Sequence, residues 1–294
     1  MKRLLPRMHL FEIDDQPWFP PILRRAVQAA LTHAWRLKTP IIQPVPPAQF
    51  AGQILIRELG PSLSQYTFVD FCAGAGGPTP YVAREVNTYL ASKNEEPATF
   101  VLSDIHPNLE SWERISRLNP QVKYEPTSVD AARAPPQLVQ RGDGKKLMRL
   151  FNLAFHHFDD KLAKDILRDT VKTSHGFAIF ELQDRSFASF VAVTLLLFVA
   201  LGWAPVHSLK TRSPTTFFFT WIIPIIPFVL IYDGYISSLR TREPEEVEAL
   251  LRSCGANTSA WEIKSGRELH AWPVGYISWV VCRPIGEKRR FAIE

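Results

Sequence analysis

The residues best placed to do chemistry sit behind a run of small side chains. In TFVDFCAGAGGPTPYVAREV, residues 67–86, apolar alternation ends near Asp70, gives way to Cys72-Ala73-Gly74-Ala75-Gly76-Gly77, and resumes at helical spacing. Such a loop brings backbone amides against a ligand that larger side chains would exclude. The spacing is D-x-C-x-G-x-G and not G-x-G-x-x-G, so the hydride-transfer dinucleotide fingerprint is absent. Two more acids follow later strand-like runs: Asp104 directly after TFVLS, and Asp130, next to Ala131, in PTSVDAA. The first is suited to accept both hydroxyls of a ribose and the second an exocyclic amine, so a nucleotide-like ligand is expected. Taken singly, each acid reads as a solvated loop residue and the glycines as an aid to close packing. Three acids in register with three strand ends are harder to explain that way.

A second group lies in AFHHFDD, where His156 and His157 follow another strand-like run. Histidine is the side chain whose ordinary pKa suits proton transfer near neutrality. The blander reading packs one histidine on the sheet end, with Asp159 or Asp160 capping the next helix. A metal site is not indicated, because adjacent histidines on a loop seldom converge without further ligands. His175 and His270 have no chemical neighbours in sequence and read as structural or exposed.

These groups must be positioned by strands and helices in alternation. Strands are expected at 67–71, 99–102, 122–125, 147–154 and 177–182, with helices at 79–90, after Pro107, and at 161–171. Alternation of this kind argues for a parallel sheet covered on both faces, with ligands at the strand carboxyl ends. Before it, a proline-punctuated stretch offers a helix after Pro21 and another at 48–59. After it, EPEEVEALLRSCGA reads as an amphipathic helix stopped at Gly255. WEIKSGRELHAW and GYISWVVCRP then read as a closing pair of strands, with Ser265 and Gly266 as a turn signal.

Two uncharged stretches interrupt the alternation, residues 186–206 and 213–232, joined by the basic HSLKTR. Each approaches the ~20 residues a helix needs to cross a hydrocarbon core. A helical hairpin that enters a bilayer and returns is expected, because the strands before and after it belong to one sheet. Pro224 and Pro227 would kink a spanning helix or favour a re-entrant one. A soluble lid is the alternative. The expected organisation is therefore an N-terminal preamble at 1–66, a core at 67–185, the apolar hairpin at 186–232, and completion of the core at 233–294.

The chain of 294 residues is 46% hydrophobic and 21% charged, values of a folding globular protein. Its net charge of +5 and pI near 9.1 fit an anionic surface, but the basic residues are not banked with aromatics as in a nucleic-acid binder. Cys72, Cys254 and Cys282 suggest neither a disulfide framework nor a metal knuckle, which favours a reducing compartment. The opening MKRLLPRMHLFEIDD lacks the apolar run of a cleaved signal, so a catalytic part facing the cytosol is expected.

With these residues in view, the chain resembles the class I S-adenosylmethionine-dependent methyltransferases. VDFCAGAGG is similar to that family's first motif, LSDIHPN to its ribose-acid segment, SVDAA to its adenine-side segment, and FNLAFHHFDD to the segment after the fourth strand. The resemblance covers residues 67–182 and about 243–284. Cys72 stands where the family has its first glycine, and the two apolar stretches interrupt the family pattern. Together with EIDDQPWFP, they resemble a membrane-associated branch of the family. The resemblance implies an α/β fold, a doubly wound, mostly parallel seven-stranded Rossmann-like sheet, into which this chain's own apolar stretches insert a helical hairpin. It implies S-adenosylmethionine as cofactor, held by Asp70, Cys72, Ala73, Gly74, Gly76, Asp104, Ile105, Asp130, Ala131 and Asn152. It also implies methyl transfer with His156 and His157 as the catalytic candidates, and no metal. An apolar or lipid-like acceptor and a membrane are the expected partners, without nucleic acid.

Two other readings stand beside this one. A scaffold or binding protein could keep the fold and lose transfer. A cytosine-C5 nucleic-acid methyltransferase would need a Pro-Cys nucleophile where this chain has Asn152-Leu153-Ala154-Phe155.

Overall fold

The computed structural model describes residues 5–140, 142–212 and 214–285, and the chain forms two compact units. In chain order its elements are α1 (Pro21–Arg36), α2 (Pro47–Leu59), β1 (Tyr66–Phe71), α3 (Thr79–Ser92), β2 (Thr99–Ser103), α4 (Leu109–Leu118), β3 (Val122–Tyr124), α5 (Pro136–Val139), β4 (Lys146–Asn152), α6 (Asp160–Thr173), β5 (Phe177–Glu181), α7 (Phe187–Thr211), α8 (Pro214–Phe217), α9 (Ile225–Arg240), α10 (Pro244–Arg252), β6 (Trp261–Ala271) and β7 (Gly275–Pro284).

The larger unit takes Ala48–Glu181, Glu243–Arg267 and the chain from Ser278. It contains most of a seven-stranded sheet in the order β3-β2-β1-β4-β5-β7-β6. Strands β1 to β5 are parallel, and β7 runs antiparallel to β5 with Glu181 opposite Ser278. This is the doubly wound, mostly parallel seven-stranded fold expected from the sequence. All six residues of β1 and all five of β5 are buried, as strands covered on both faces must be. One core face packs Val69, Phe71, Phe151 and Ile179 against Ile166 and Leu167 of α6 and Leu250 and Leu251 of α10.

Capping explains where the covering helices begin. The Asp159 carboxylate accepts from Leu162 N at 2.8 Å to start α6, while Glu243 and Glu246 form a reciprocal capping box at α10. Each such cap contributes about 1 kcal/mol.

The expected turn at Ser265–Gly266 is not a turn: both residues lie inside β6, and the chain reverses at Trp272–Val274. Gly266 is there for packing. A Cβ at this position would come within 2.7 Å of the Trp279 indole on β7, so only glycine lets that ring lie across the strand.

The smaller unit takes Met1–Pro47, Leu182–Arg242 and Glu268–Ile277. Its core joins Phe19 and Leu23, Ala26, Val27 and Ala30 of α1 to Ala200 of α7 and Ile226, Val229 and Leu230 of α9. The segment before α1 is fastened to α9: Asp233 accepts from Ile13 N at 2.7 Å and Asp14 N at 2.9 Å, and Arg240 pairs with Glu12 and Asp15.

The two apolar stretches fold differently from each other. The first becomes the single 25-residue helix α7. The second is a helical turn at Pro214–Ile222 followed by α9, bent by 74° at the break. The cause is Pro224: it lacks an N–H and pushes Ile223 into an extended conformation, φ −121° and ψ 94°. Pro227 does no comparable damage, because it sits in the first turn of α9, where the N–H has no intrahelical partner.

Candidate active site

The sheet order reverses between β1 and β4, and ligands of doubly wound sheets bind outside the strand ends at such a point. Both strands end there in residues with left-handed backbone, Cys72 at φ 65° and Leu153 at φ 55°. Non-glycine residues pay about 1–2 kcal/mol for that conformation. Cys72 therefore occupies a position that glycine would occupy without strain.

Asp70, at the end of β1, is fully buried beneath the loop. Its Oδ2 accepts a short hydrogen bond from the Thr79 hydroxyl, and Asn152 Nδ2 donates to that hydroxyl at 3.3 Å. Asp70 Oδ1 and Asn152 Oδ1 are both buried without a hydrogen-bond partner. Desolvation drives the Asp70 pKa up to about 7, with the Thr79 and Asn152 side chains opposing the rise and the Asp104 charge adding to it. Two unsatisfied acceptors facing the sheet end are costly in a dry interior, and a cationic or N–H-bearing ligand would relieve them.

The loop itself is tied down from three sides. Ala73 N donates to Ser103 O at 3.0 Å, Trp112 Nε1 donates to Gly74 O at 2.9 Å, and Gly74 N donates to Asp104 Oδ2 at 2.9 Å. Gly76, at φ 101°, has a backbone conformation that residues with a Cβ rarely adopt, and a Cβ there would also displace the Ile115 δ-methyl of α4. Asp104 Oδ1 accepts from His106 N at 2.8 Å, so each carboxylate oxygen keeps one acceptor site for a ligand hydroxyl. Beside it Ile105 is 53% exposed, an apolar surface of the kind that covers one face of a flat base.

Asp130 and Ala131 come to the same strand ends. Val129 N donates to Asp104 O at 2.9 Å and Ser128 Oγ to Ile105 O at 2.7 Å, zipping the loops after β2 and β3 together. Asp130 is exposed, and its carboxylate closes a turn by accepting from Ala132 N at 2.8 Å. Below the loop lies Arg149 of β4, fully buried. Arg149 Nη1 donates to Ala131 O at 2.9 Å, Nη2 to Asp169 at 2.5 Å and Thr173 Oγ1 at 2.6 Å, and Nε to Ser174 Oγ at 2.8 Å. Asp169 in turn accepts from Ala134 N at 3.2 Å. The loop after β3 thus rests on an ion pair whose Arg149 is buried and whose Asp169 is partly exposed.

His156 is buried and doubly held by Glu181 at the end of β5. Its backbone N donates to Oε1 at 3.2 Å, and its ring Nδ1 lies 2.9 Å from Oε2. Where Nδ1 donates to the Glu181 carboxylate, Nε2 is the ring nitrogen that accepts. The half-buried ring of His157 lies tilted by 34° against that of His156, with centroids 4.2 Å apart. Asp159, not Asp160, caps α6. Four groups of this site were not singled out in the sequence: Thr79, Trp112, Arg149 and Glu181. Only Glu181 carried a readable signal, an acid at a strand end like the three that were noticed.

No protein-family model matches the chain, and no curated protein does either. Among solved structures it is similar to an O-methyltransferase family protein from Burkholderia thailandensis (10% identity, TM-score 0.44), covering 81% of this chain and 56% of that one. It is also similar to a SAM-dependent methyltransferase from Anabaena variabilis (14% identity, TM-score 0.48; 96% and 100% covered). A Zn-dependent alcohol dehydrogenase structure from Rhodobacter sphaeroides aligns at 10% identity and TM-score 0.46 (88% and 98% covered). Likeness at this level concerns fold and not chemistry.

Proposed function

We propose that the chain is an S-adenosylmethionine-dependent methyltransferase that works at a membrane on an apolar or lipid-like acceptor. The observation that carries the cofactor reading is the pair of buried, unsatisfied oxygens of Asp70 and Asn152 under a glycine loop at the switch point. They fit a ligand with a cationic amine, while Asp104 retains acceptor capacity for ribose hydroxyls and Ile105 and Ala131 offer apolar cover for a base. When bound, S-adenosylmethionine supplies an electrophilic methyl group on a sulfonium.

The chain's own part is to position and to exclude water. Cys72, Ala73, Gly74 and Gly76 let the backbone approach closely, Asp130 marks the adenine side, and Arg149 fixes the loop that carries it. His156, oriented by Glu181, takes the proton from an acceptor hydroxyl, amine or acidic carbon, and His157 shields its ring.

Membrane association rests on α7. It is apolar all round, and only 22% of its most apolar window is buried, unlike the core helix of a soluble protein. Leu195, Phe198, Val206 and Leu209 form an exposed stripe at helical spacing along it.

The first experiment is calorimetric titration of detergent-solubilised protein with S-adenosylmethionine, wild type against Asp104→Ala, followed by a methylation screen of lipid extracts. Micromolar binding lost in the variant, with label entering the organic phase, is the expected result. Absence of binding by folded protein would turn the reading to a scaffold. Methylation of polar soluble compounds alone, with no need for lipid, would remove the acceptor class.

A further inference from the structure

The membrane reading leaves open how the smaller unit meets a bilayer, and the C-terminal ends of α1 and α7 bear on it. They are joined by a row of rings: His33 stacks on Trp203 with centroids 5.9 Å apart, and His207 lies tilted against Trp203 at 4.3 Å. Along the two segments that carry these rings the charge is all of one sign. Residues 16–57 and 185–232 contain no Asp or Glu, while Arg36, Lys38, Lys210 and Arg212 are all exposed at this end. Half-burial and then the cations Arg36, His207 and Lys210 hold the His33 pKa below its ordinary value, and no acid offsets them.

Apolar side chains project at the same end. Leu209 is 81% exposed and Phe217 40%, and the two are held near each other because Phe217 N donates to Ser208 Oγ at 2.9 Å. Large apolar groups beside a cationic rim, without acids, are the composition of a surface that lies in a lipid headgroup layer.

A spanning α7 fits this packing poorly. Ala30 of α1 and Ala200 of α7 belong to one core, so α1 would be carried into the hydrocarbon alongside α7, with its exposed Arg25. An arginine at bilayer depth costs at least ~2.5 kcal/mol. An in-plane arrangement leaves it at headgroup level.

We propose that the shared end of α1 and α7 docks monotopically on an anionic bilayer surface. Leu209 and Phe217 enter the acyl boundary, and Arg36, Lys210 and Arg212 pair with lipid phosphates. The proposal rests on the membrane part of the proposed function and is independent of the methyl-transfer part.

Co-sedimentation of the full chain with phosphatidylcholine vesicles, and with phosphatidylcholine vesicles containing phosphatidylserine, tests it, and calorimetric cofactor binding serves as a separate readout of folding. Partition is expected to favour the anionic vesicles and to weaken with salt. It should fall about fivefold per charge removed in Arg36→Gln/Lys210→Gln/Arg212→Gln. Leu209→Ser/Phe217→Ser should reduce partition onto both vesicle types and leave cofactor binding unchanged. Equal partition onto the two vesicle types, insensitive to the charge variant, would overturn headgroup recognition and leave membrane attachment standing. Cofactor binding with no vesicle binding would overturn the membrane reading and spare the enzyme. Charge-dependent binding of single-stranded RNA in place of vesicles would overturn the proposal in favour of a nucleic-acid surface. Vesicle binding without cofactor binding would support this docking surface while removing the methyltransferase.

Discussion

Asp70 couples burial to the chemistry of the pocket. Its pKa of about 7, against an ordinary 3.8, means that the folded chain holds a proton the unfolded chain releases. Stability of the ligand-free protein is therefore expected to fall as pH rises from about 4 to 7, measurable by thermal unfolding across that range. A cationic cofactor favours the ionised carboxylate, so its affinity should rise with pH through about 7 and then level off. Calorimetry from pH 6 to about 8 checks this, and Asp70→Asn should flatten the profile. Asp104→Ala should weaken cofactor binding by ~1.5–3 kcal/mol, because a charge-assisted hydrogen bond and the anchor on Gly74 N disappear together. Glu181→Gln acts elsewhere. It leaves His156 without an anionic partner on Nδ1, so turnover should drop about a hundredfold or more with cofactor affinity nearly unchanged.

At the level of elements, the loops after β1, β2 and β3 behave as one assembly, because each is hydrogen-bonded to the next and the last is bonded to β4 and α6 through Arg149. Removing the buried member of a multiply bonded ion pair strands the other: Arg149→Ala is expected to destabilise the larger unit by about 3–5 kcal/mol. Replacing Arg149 and Asp169 together with apolar residues should recover much of that loss in denaturant unfolding. If the pair positions the adenine-side loop, cofactor affinity should remain low in the double variant even where stability returns. The same logic of local necessity explains Gly266, where a Trp279 ring and not a chain reversal excludes a side chain. It also explains the broken second apolar stretch, where one proline determines that α9 starts in a new direction.

For the molecule as a whole, the proposed function gives the larger unit a cofactor site and the smaller unit an apolar surface with exposed Lys210 and Arg212, and its acceptor then resides in lipid. An enzyme drawing its acceptor from a bilayer responds to the acceptor's surface density and not its bulk concentration. With a lipid-borne acceptor, the methylation rate should therefore fall when the vesicles are diluted with inert phosphatidylcholine at constant total acceptor. Radiolabel transfer into extracted lipid measures it. The dependence should weaken when Leu209 and Phe217 are replaced by serine, since each large apolar side chain contributes roughly 1.5–3 kcal/mol to burial.

Much of this was legible in the residues, for a physical reason. Strand alternation with period 2, helical spacing with period 3.6, a glycine loop after a strand and charge-free stretches near 20 residues are local patterns, and each leaves its mark in consecutive letters. The parallel sheet, the place of Asp70, Asp104 and Asp130 at strand ends, and the apolar insertion all followed from them. Contacts between distant residues leave no such mark. That Asn152 would reach Thr79, that Glu181 would clamp His156, that Arg149 would carry the loop of Ala131, and that α1 would lie along α7 depend on which elements the sheet order and the packing bring together. The letters determined what the elements are and which groups they could present; only tertiary packing decided which buried atoms are satisfied and which, like Asp70 Oδ1 and Asn152 Oδ1, are not.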